Sequence, residues 1–227
     1  VIDNSAAFRM DVNVPLVVSE VNPGDIAYAD KGIVACPNCT TMILMVALGP
    51  LHEKFKIDRM VISTFQSVSG AGQCGIDELA GQWKSRGFDD DIDSLLRASR
   101  NTASINGGEV WDKAIAGNVI PLAGSVQESG YTSEEEKLVF ETHKILHDDS
   151  ILVTATCVRV PVFVGHALSV NVSFHDFVDA SMAVKVLQDA KGIILDQDLS
   201  HEGAYPTPLE TAGGDGVRVG RIRNDRT

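Results

Sequence analysis

Residues 151–174 read ILVTATCVRVPVFVGHALSVNVSF. The first part, ILVTATCVRVPVF, is rich in β-branched residues and gives one strand signal. In the second, HALSVNVSF, apolar and polar residues alternate. Leu168, Val170, Val172 and Phe174 fall on one face, and Ser169, Asn171 and Ser173 on the other, as in a half-buried strand. Upstream, Ser133 with Glu136 three residues later predicts a capping box opening a helix through LVFETHKIL. Downstream, Asp179 predicts the cap of a helix ending near Gly192, followed by short strands around IIL and VRVGRIR.

Farther upstream, MVISTF (60–65) reads as a buried strand running into the loop QSVSGAGQCG. After Pro37-Asn38-Cys39, the run TTMILMVALGPLHEKF predicts a largely buried helix of about four turns. Residues 1–30 read as irregular, punctuated by Pro15 and Asn22-Pro23-Gly24. Residues 76–115 read as mostly helical, interrupted by the acidic run Asp89 to Asp91, a solvated loop. Strands and helices mix without regular β-α-β alternation. The expected fold is therefore α+β, a mixed, largely antiparallel sheet with helices packed on it. With no repeat, low-complexity tract or linker, residues 1–227 are expected to form a single domain.

The 227 residues are 44% apolar, enough for a sizeable core, and carry a formal net charge of −12. That charge argues against nonspecific nucleic-acid binding and polybasic membrane contact. No run of 18 apolar residues suggests a membrane span. The opening VIDNSAAFRMD lacks the pattern of a signal peptide and reads as the middle of a longer sequence, so a fragment is expected. Four cysteines are too few for a secreted disulfide scaffold, and a reduced cytoplasm is the expected setting.

Cys39 carries most of the chemical information. It follows a Pro-Asn turn at the first turn of an apolar helix. The free N–H groups and positive dipole end there are expected to lower the thiol pKa and to hold an oxyanion on an attacked carbonyl. Alternatives stand beside this reading. A cysteine is often a small buried hydrophobe, and Cys36-Pro-Asn-Cys39 is also a CxxC. A zinc site would need a second CxxC or a close histidine pair, and no metal is expected.

Taken together, ACPNCTT and its apolar helix, STFQSVSGAG, CVRVPVFVGH, YTSEEEKLVFETHKIL, YPTPLE and VIDNSAAFRMD resemble the aspartate-β-semialdehyde dehydrogenases, in that family's order over essentially the whole chain. The resemblance implies NADPH-dependent reductive dephosphorylation of β-aspartyl phosphate to aspartate semialdehyde, toward lysine, methionine, threonine and diaminopimelate. It implies a C-terminal catalytic and dimerisation domain of the glyceraldehyde-3-phosphate dehydrogenase type, acting as a homodimer. The family's N-terminal Rossmann domain, which holds NADP, is expected to be absent, since no GxGxxG follows a strand; Gly213-Gly214-Asp215-Gly216 has the wrong spacing.

By the same resemblance Cys39 is the nucleophile forming a thioester, His166 the acid/base that deprotonates it, and Gln66 the group that positions the acyl carbon. Arg159 clamps the substrate carboxylate, Glu134 meets its amino group, and Lys137 and Arg9 meet the phosphate, with Asn38 beside them. Ser69, Gly70, Ala71 and Gly72 approach the nicotinamide. Without the resemblance these would read as a structural histidine, a buried ion pair, a solvated helix face and a glycine-rich turn. Cys36, where many relatives carry Asn, raises a disulfide with Cys39 as a side possibility. Two alternatives stay open: an N-acetyl-γ-glutamyl-phosphate reductase, or a dimerisation module inactive in isolation.

Overall fold

The computed structural model describes residues 1–85, 107–197 and 205–226. In chain order the elements are β1 (Ile2–Asp3), β2 (Val34–Ala35), α1 (Cys39–Phe55), β3 (Ile57–Gln66), α2 (Gln73–Ser85) and α3 (Ser133–Leu146). They continue with β4 (Leu152–Arg159), β5 (Ala167–Phe174), α4 (Ala180–Gln188), β6 (Ile193–Asp196), α5 (Pro208–Thr211) and β7 (Val217–Gly220). The acidic run Asp89 to Asp91 lies outside the described residues.

The centre is a three-stranded sheet with β3 in the middle, β4 parallel to it and β5 antiparallel. The expected mixed sheet with helices packed on it is present. Its balance differs from the expectation: parallel and antiparallel pairings share the main sheet evenly, and the small pairs β1–β2 and β6–β7 are both parallel. The long connection from β3 through α2 and α3 to β4 gives the chain room for the crossover a parallel pairing requires.

The alternation read in β5 holds. Leu168, Val170, Val172 and Phe174 pack toward the core, while Ser169, Asn171 and Ser173 are exposed. Helix α1 lies against this inner face, burying Leu44, Met45, Leu48, Leu51 and Phe55, and the Phe55 ring meets Phe174 edge-on at 6.0 Å. Pro50 sits inside the helix without ending it.

Helix α3 starts one residue earlier than the predicted box. Thr132 is the N-cap: its hydroxyl accepts from Glu135 N–H (3.3 Å), and Glu135 Oε2 accepts from Thr132 N–H (2.7 Å). Glu135 also uses Oε1 to accept from Cys157 N–H at 2.9 Å, which ties the helix to β4. Ser133 instead accepts from Ser125 N–H. Asp179 caps α4 as expected, accepting from Met182 N–H at 2.8 Å, but the helix ends at Gln188 and Gly192, at φ +76°, turns the chain into β6. Only VRVG of VRVGRIR forms a strand.

At the C-terminal end of α3, the Lys144 ammonium donates to three carbonyls, those of Arg9 (2.7 Å), Asp11 (2.8 Å) and Val14 (2.8 Å). It pins the irregular first segment to the core. Replacing it by methionine keeps the stem but leaves three acceptors without their cation, so Lys144→Met is expected to lower unfolding stability by about 2–4 kcal/mol. Urea denaturation checks this through a lower midpoint at unchanged slope. Among the described residues no helix is long and apolar enough to cross a membrane.

Candidate active site

The strand register brings the expected groups to one end of the sheet. Gln66 at the end of β3 pairs with Arg159 at the end of β4, and Phe65 pairs with Ala167, so His166 stands one residue before the opening of β5. Period-two alternation carries Gln66 and Arg159 onto the core face, where they are 1% and 6% exposed. The N-terminus of α1 points to the same place: Cys39 Sγ lies 3.2 Å from His166 Nε2. Cys39 is open to solvent at this edge.

Asn38 caps α1, its Oδ1 accepting from Thr40 N–H at 3.0 Å and from the Thr40 hydroxyl at 2.6 Å. Helix α3 grips this residue twice. Glu134 Oε2 accepts from Asn38 Nδ2 (3.0 Å), and Glu141, seven residues on and thus on the same helix face, accepts from Asn38 N–H (2.7 Å). Glu134 also pairs with Lys137 at 2.5 Å. The position expected to meet phosphate, Arg9, is buried and engaged: Nη1 to Glu141 (3.2 Å), Nε to the Cys36 carbonyl (2.9 Å) and Nη2 to the Asn4 carbonyl (3.1 Å). Arg9 thus braces the turn that carries Cys39 rather than touching the Cys39–His166 pair. Cys36 and Cys39 are both free thiols.

The electrostatics correct one expectation. The Cys39 thiol lies above its ordinary range, because crowding by protein and the nearby Glu134 carboxylate outweigh the Thr40 and Cys39 N–H groups and the more distant Arg159. The helix terminus acts in the expected direction and is overruled. Burial acts to raise Glu134, but Lys137, Asn38 and Arg159 hold its carboxyl below the usual range. Burial and the Arg159 charge push His166 down to about 4 against an opposing pull from Glu134. Its ring is therefore neutral at pH 7. Since the unfolded chain binds this proton more readily, His166 costs no stability above pH 6.5 and an increasing amount as pH falls from there toward 4. Cys157, buried behind the site, is pushed up to about 11 by desolvation and is inert near neutrality.

Among the described residues, the buried donors Arg159 Nε and Gln66 Nε2 in this site have no hydrogen-bond partner. Arg159 Nη1 donates to the Ser67 carbonyl at 2.7 Å. Ser69, Gly70, Ala71 and Gly72 form the short turn beside them. A Cβ on Gly70 would stand 2.8 Å from Arg159 Nη1 and 3.2 Å from His166 Cε1. Glycine there lets the loop press on both side chains. Gly70→Ala is expected to displace them and to change the rate of Cys39 alkylation by iodoacetamide by about tenfold with an unchanged melting curve, read by peptide mass spectrometry.

Sequence reading did not single out Ser67 or Glu141. Ser67 N–H donates to His166 Nδ1 at 3.0 Å, with the Ser67 hydroxyl 3.2 Å from the same nitrogen. Glu141 is 1% exposed. A glutamate seven residues after Glu134 was the one available signal, and it is common on any helix.

Comparison with known proteins identifies the family. Residues 48–227 match the family described as semialdehyde dehydrogenase, dimerisation domain. The chain is 43% identical over 227 residues to the aspartate-semialdehyde dehydrogenase of Aquifex aeolicus, covering 100% of this chain and 63% of that protein. It is 45% identical over 229 residues to that of Streptomyces akiyoshiensis, covering 100% and 65%. It therefore spans a little under two thirds of the length of these relatives. The crystal structure of aspartate semialdehyde dehydrogenase II from Vibrio cholerae complexed with ASA superimposes with a TM-score of 0.85 at 43% identity, covering 99% of this chain and 62% of that one. A probable aspartate-semialdehyde dehydrogenase from Pseudomonas aeruginosa gives 0.82 at 28% identity, covering 100% and 63%. The chain belongs to the semialdehyde dehydrogenase family, as a dimerisation domain of that family.

Proposed function

We propose that residues 1–227 are the catalytic and dimerisation unit of an aspartate-semialdehyde dehydrogenase, reducing β-aspartyl phosphate to aspartate semialdehyde through a thioester on Cys39. The observation that carries this is the Cys39–His166 contact at 3.2 Å, flanked by the buried donors Arg159 Nε and Gln66 Nε2, which lack partners among the described residues. A buried donor without a partner is costly, and a bound carboxylate or acyl oxygen would satisfy it. Arg159 then holds the substrate carboxylate, Gln66 positions the acyl group, and Glu134 with Lys137 offers a carboxylate to an ammonium and a cation to a phosphate. Asn38 orients the cap beside the sulfur, and Arg9 supports the phosphate end from behind the turn. The Glu134 charge favours a substrate with a free amino group over an N-acetylated one, which would bring no cation to meet it.

Sulfur attacks the acyl carbon, the S–C bond forms and the C–O bond to phosphate breaks. The turn from Ser69 to Gly72 is open to solvent at Gly70, Ala71 and Gly72 and touches His166 and Arg159, which fits the close approach of a flat ring. The reduced cofactor, NADPH, would supply the hydride that reduces the thioester. A homodimer fits the outer sheet face, where Phe65 is 41% and Leu152 61% exposed. A cytoplasmic setting suits the free thiols.

The test is acyl transfer. On incubation with β-aspartyl phosphate, one aspartyl group on Cys39 and one equivalent of released phosphate are expected, with neither in Cys39→Ala. An acyl group found elsewhere, or retained in Cys39→Ala, contradicts the reading.

A further inference from the structure

Helix α3 sends two carboxylates to the turn that carries the nucleophile, and the proposed chemistry uses only Glu134. The other, Glu141, is 1% exposed, and its two oxygens meet different donors. Oε2 accepts from Asn38 N–H at 2.7 Å, and Oε1 accepts from Arg9 Nη1 at 3.2 Å. Arg9 in turn donates from Nε to the Cys36 carbonyl at 2.9 Å. The main chain from Cys36 to Asn38 is thus held at both ends, by Arg9 through a carbonyl and by Glu141 through an N–H. Cys39 follows at once, as the first residue of α1.

The needs of the fold do not explain this pair. A buried ion pair is a weak source of net stability, because desolvating two charges offsets their attraction. Burial here raises the Glu141 carboxyl above its ordinary range, and Asn38 N–H and Arg9 recover only part of that cost. What the arrangement supplies is direction. A charge-assisted bond to a main-chain N–H is short and strong, and it fixes the peptide plane between Pro37 and Asn38. That plane sets how Asn38 caps the helix and where Cys39 enters it.

We propose that Glu141 is a positioning residue for acyl transfer: with Arg9 it fixes the Cys36–Asn38 turn, so that the Cys39 sulfur meets the acyl carbon of bound substrate. This rests on the proposed thioester chemistry and adds no step to it. Glu141 acts through the Asn38 main chain, and substrate capture belongs to Arg159, Glu134 and Lys137. Its removal therefore acts on the meeting of sulfur and acyl carbon, where a misplacement of about 1 Å costs about a hundredfold in rate.

Glu141→Gln in the whole chain tests this. The charged Arg9 donor takes the single amide oxygen, which leaves the amide NH2 facing Asn38 N–H. Single-turnover phosphate release from β-aspartyl phosphate is expected to slow by about thirty- to three-hundredfold at saturating substrate, with the half-saturating concentration within about threefold of wild type. Acylation within about threefold of wild type, or a loss confined to substrate affinity, overturns the proposal. A second measurement needs no chemistry. Exchange of the Asn38 amide hydrogen, followed by nitrogen-15 magnetic resonance, is expected to be at least about tenfold faster in the variant. An unchanged exchange rate overturns the proposal. If wild type takes up no acyl group, the thioester reading fails, while the Asn38 amide still decides whether Glu141 holds the turn. Protection of Cys157, which is fully buried, certifies the fold. Should Glu141→Gln lose it, Glu141→Asp, which keeps the charge but falls one methylene short, takes its place with the same expectations. Loss of protection in both variants overturns the proposal, since Glu141 would then serve the fold alone.

Discussion

If the proposed chemistry holds, His166→Ala is expected to slow acyl transfer to Cys39 by about a hundred- to a thousandfold, the cost of removing the imidazole beside the sulfur. The effect is large because little else in the site helps the sulfur ionise. Cys39 lies at a helix N-terminus, yet crowding and the Glu134 carboxylate leave its thiol above the ordinary range. With Nε2 at 3.2 Å, the imidazole lies within hydrogen-bond reach of that sulfur. The loss should fall on the acylation rate at saturating substrate more than on substrate affinity, because Arg159 and Glu134 remain. Single-turnover phosphate release against substrate concentration separates the two.

Arg159→Lys, although it conserves charge, is expected to weaken substrate capture by about 2–4 kcal/mol, roughly thirty- to several-hundredfold. Nη1 is committed to the Ser67 carbonyl at 2.7 Å, and Nε is buried without a partner. The planar guanidinium does both tasks at once: it braces the Ser67 turn and keeps a second face for a carboxylate. A lysine ammonium offers no such fork. It would either hold the carbonyl and leave the carboxylate unmet or the reverse. The defect should appear as a raised substrate concentration for half-maximal acylation. Relief of the charge near His166 should accompany it only if the ammonium is drawn away from the ring.

The strands were legible because their two faces meet different solvents. Val170 and Asn171 could be assigned to opposite faces from alternation alone, and helix α1 from the density of its apolar residues. What failed did so for local ambiguity or distant contacts. Thr132 and Ser133 are adjacent hydroxyls followed by three glutamates, so the capping register could be read one residue late. The pKa of Cys39 was misjudged because its helix terminus is visible in sequence, whereas Glu134 approaches from 95 positions away. The contact between Arg9 and Glu141 spans 132 positions and left no mark in the sequence. The Ser67 contact to His166 runs through a main-chain N–H, which every residue but proline carries, so no side-chain signal could have marked it.

The central claim is that Cys39 and His166 act as one unit, and the pH profile of Cys39 alkylation tests it most directly. Modification by iodoacetamide, located by peptide mass spectrometry, should rise with pH to a midpoint above the ~8.5 of a free thiol in the ligand-free protein. His166→Ala should move that midpoint farther upward by removing the imidazole partner of the sulfur, with Cys157 protected throughout. A Cys39 profile identical in the two proteins would contradict the account.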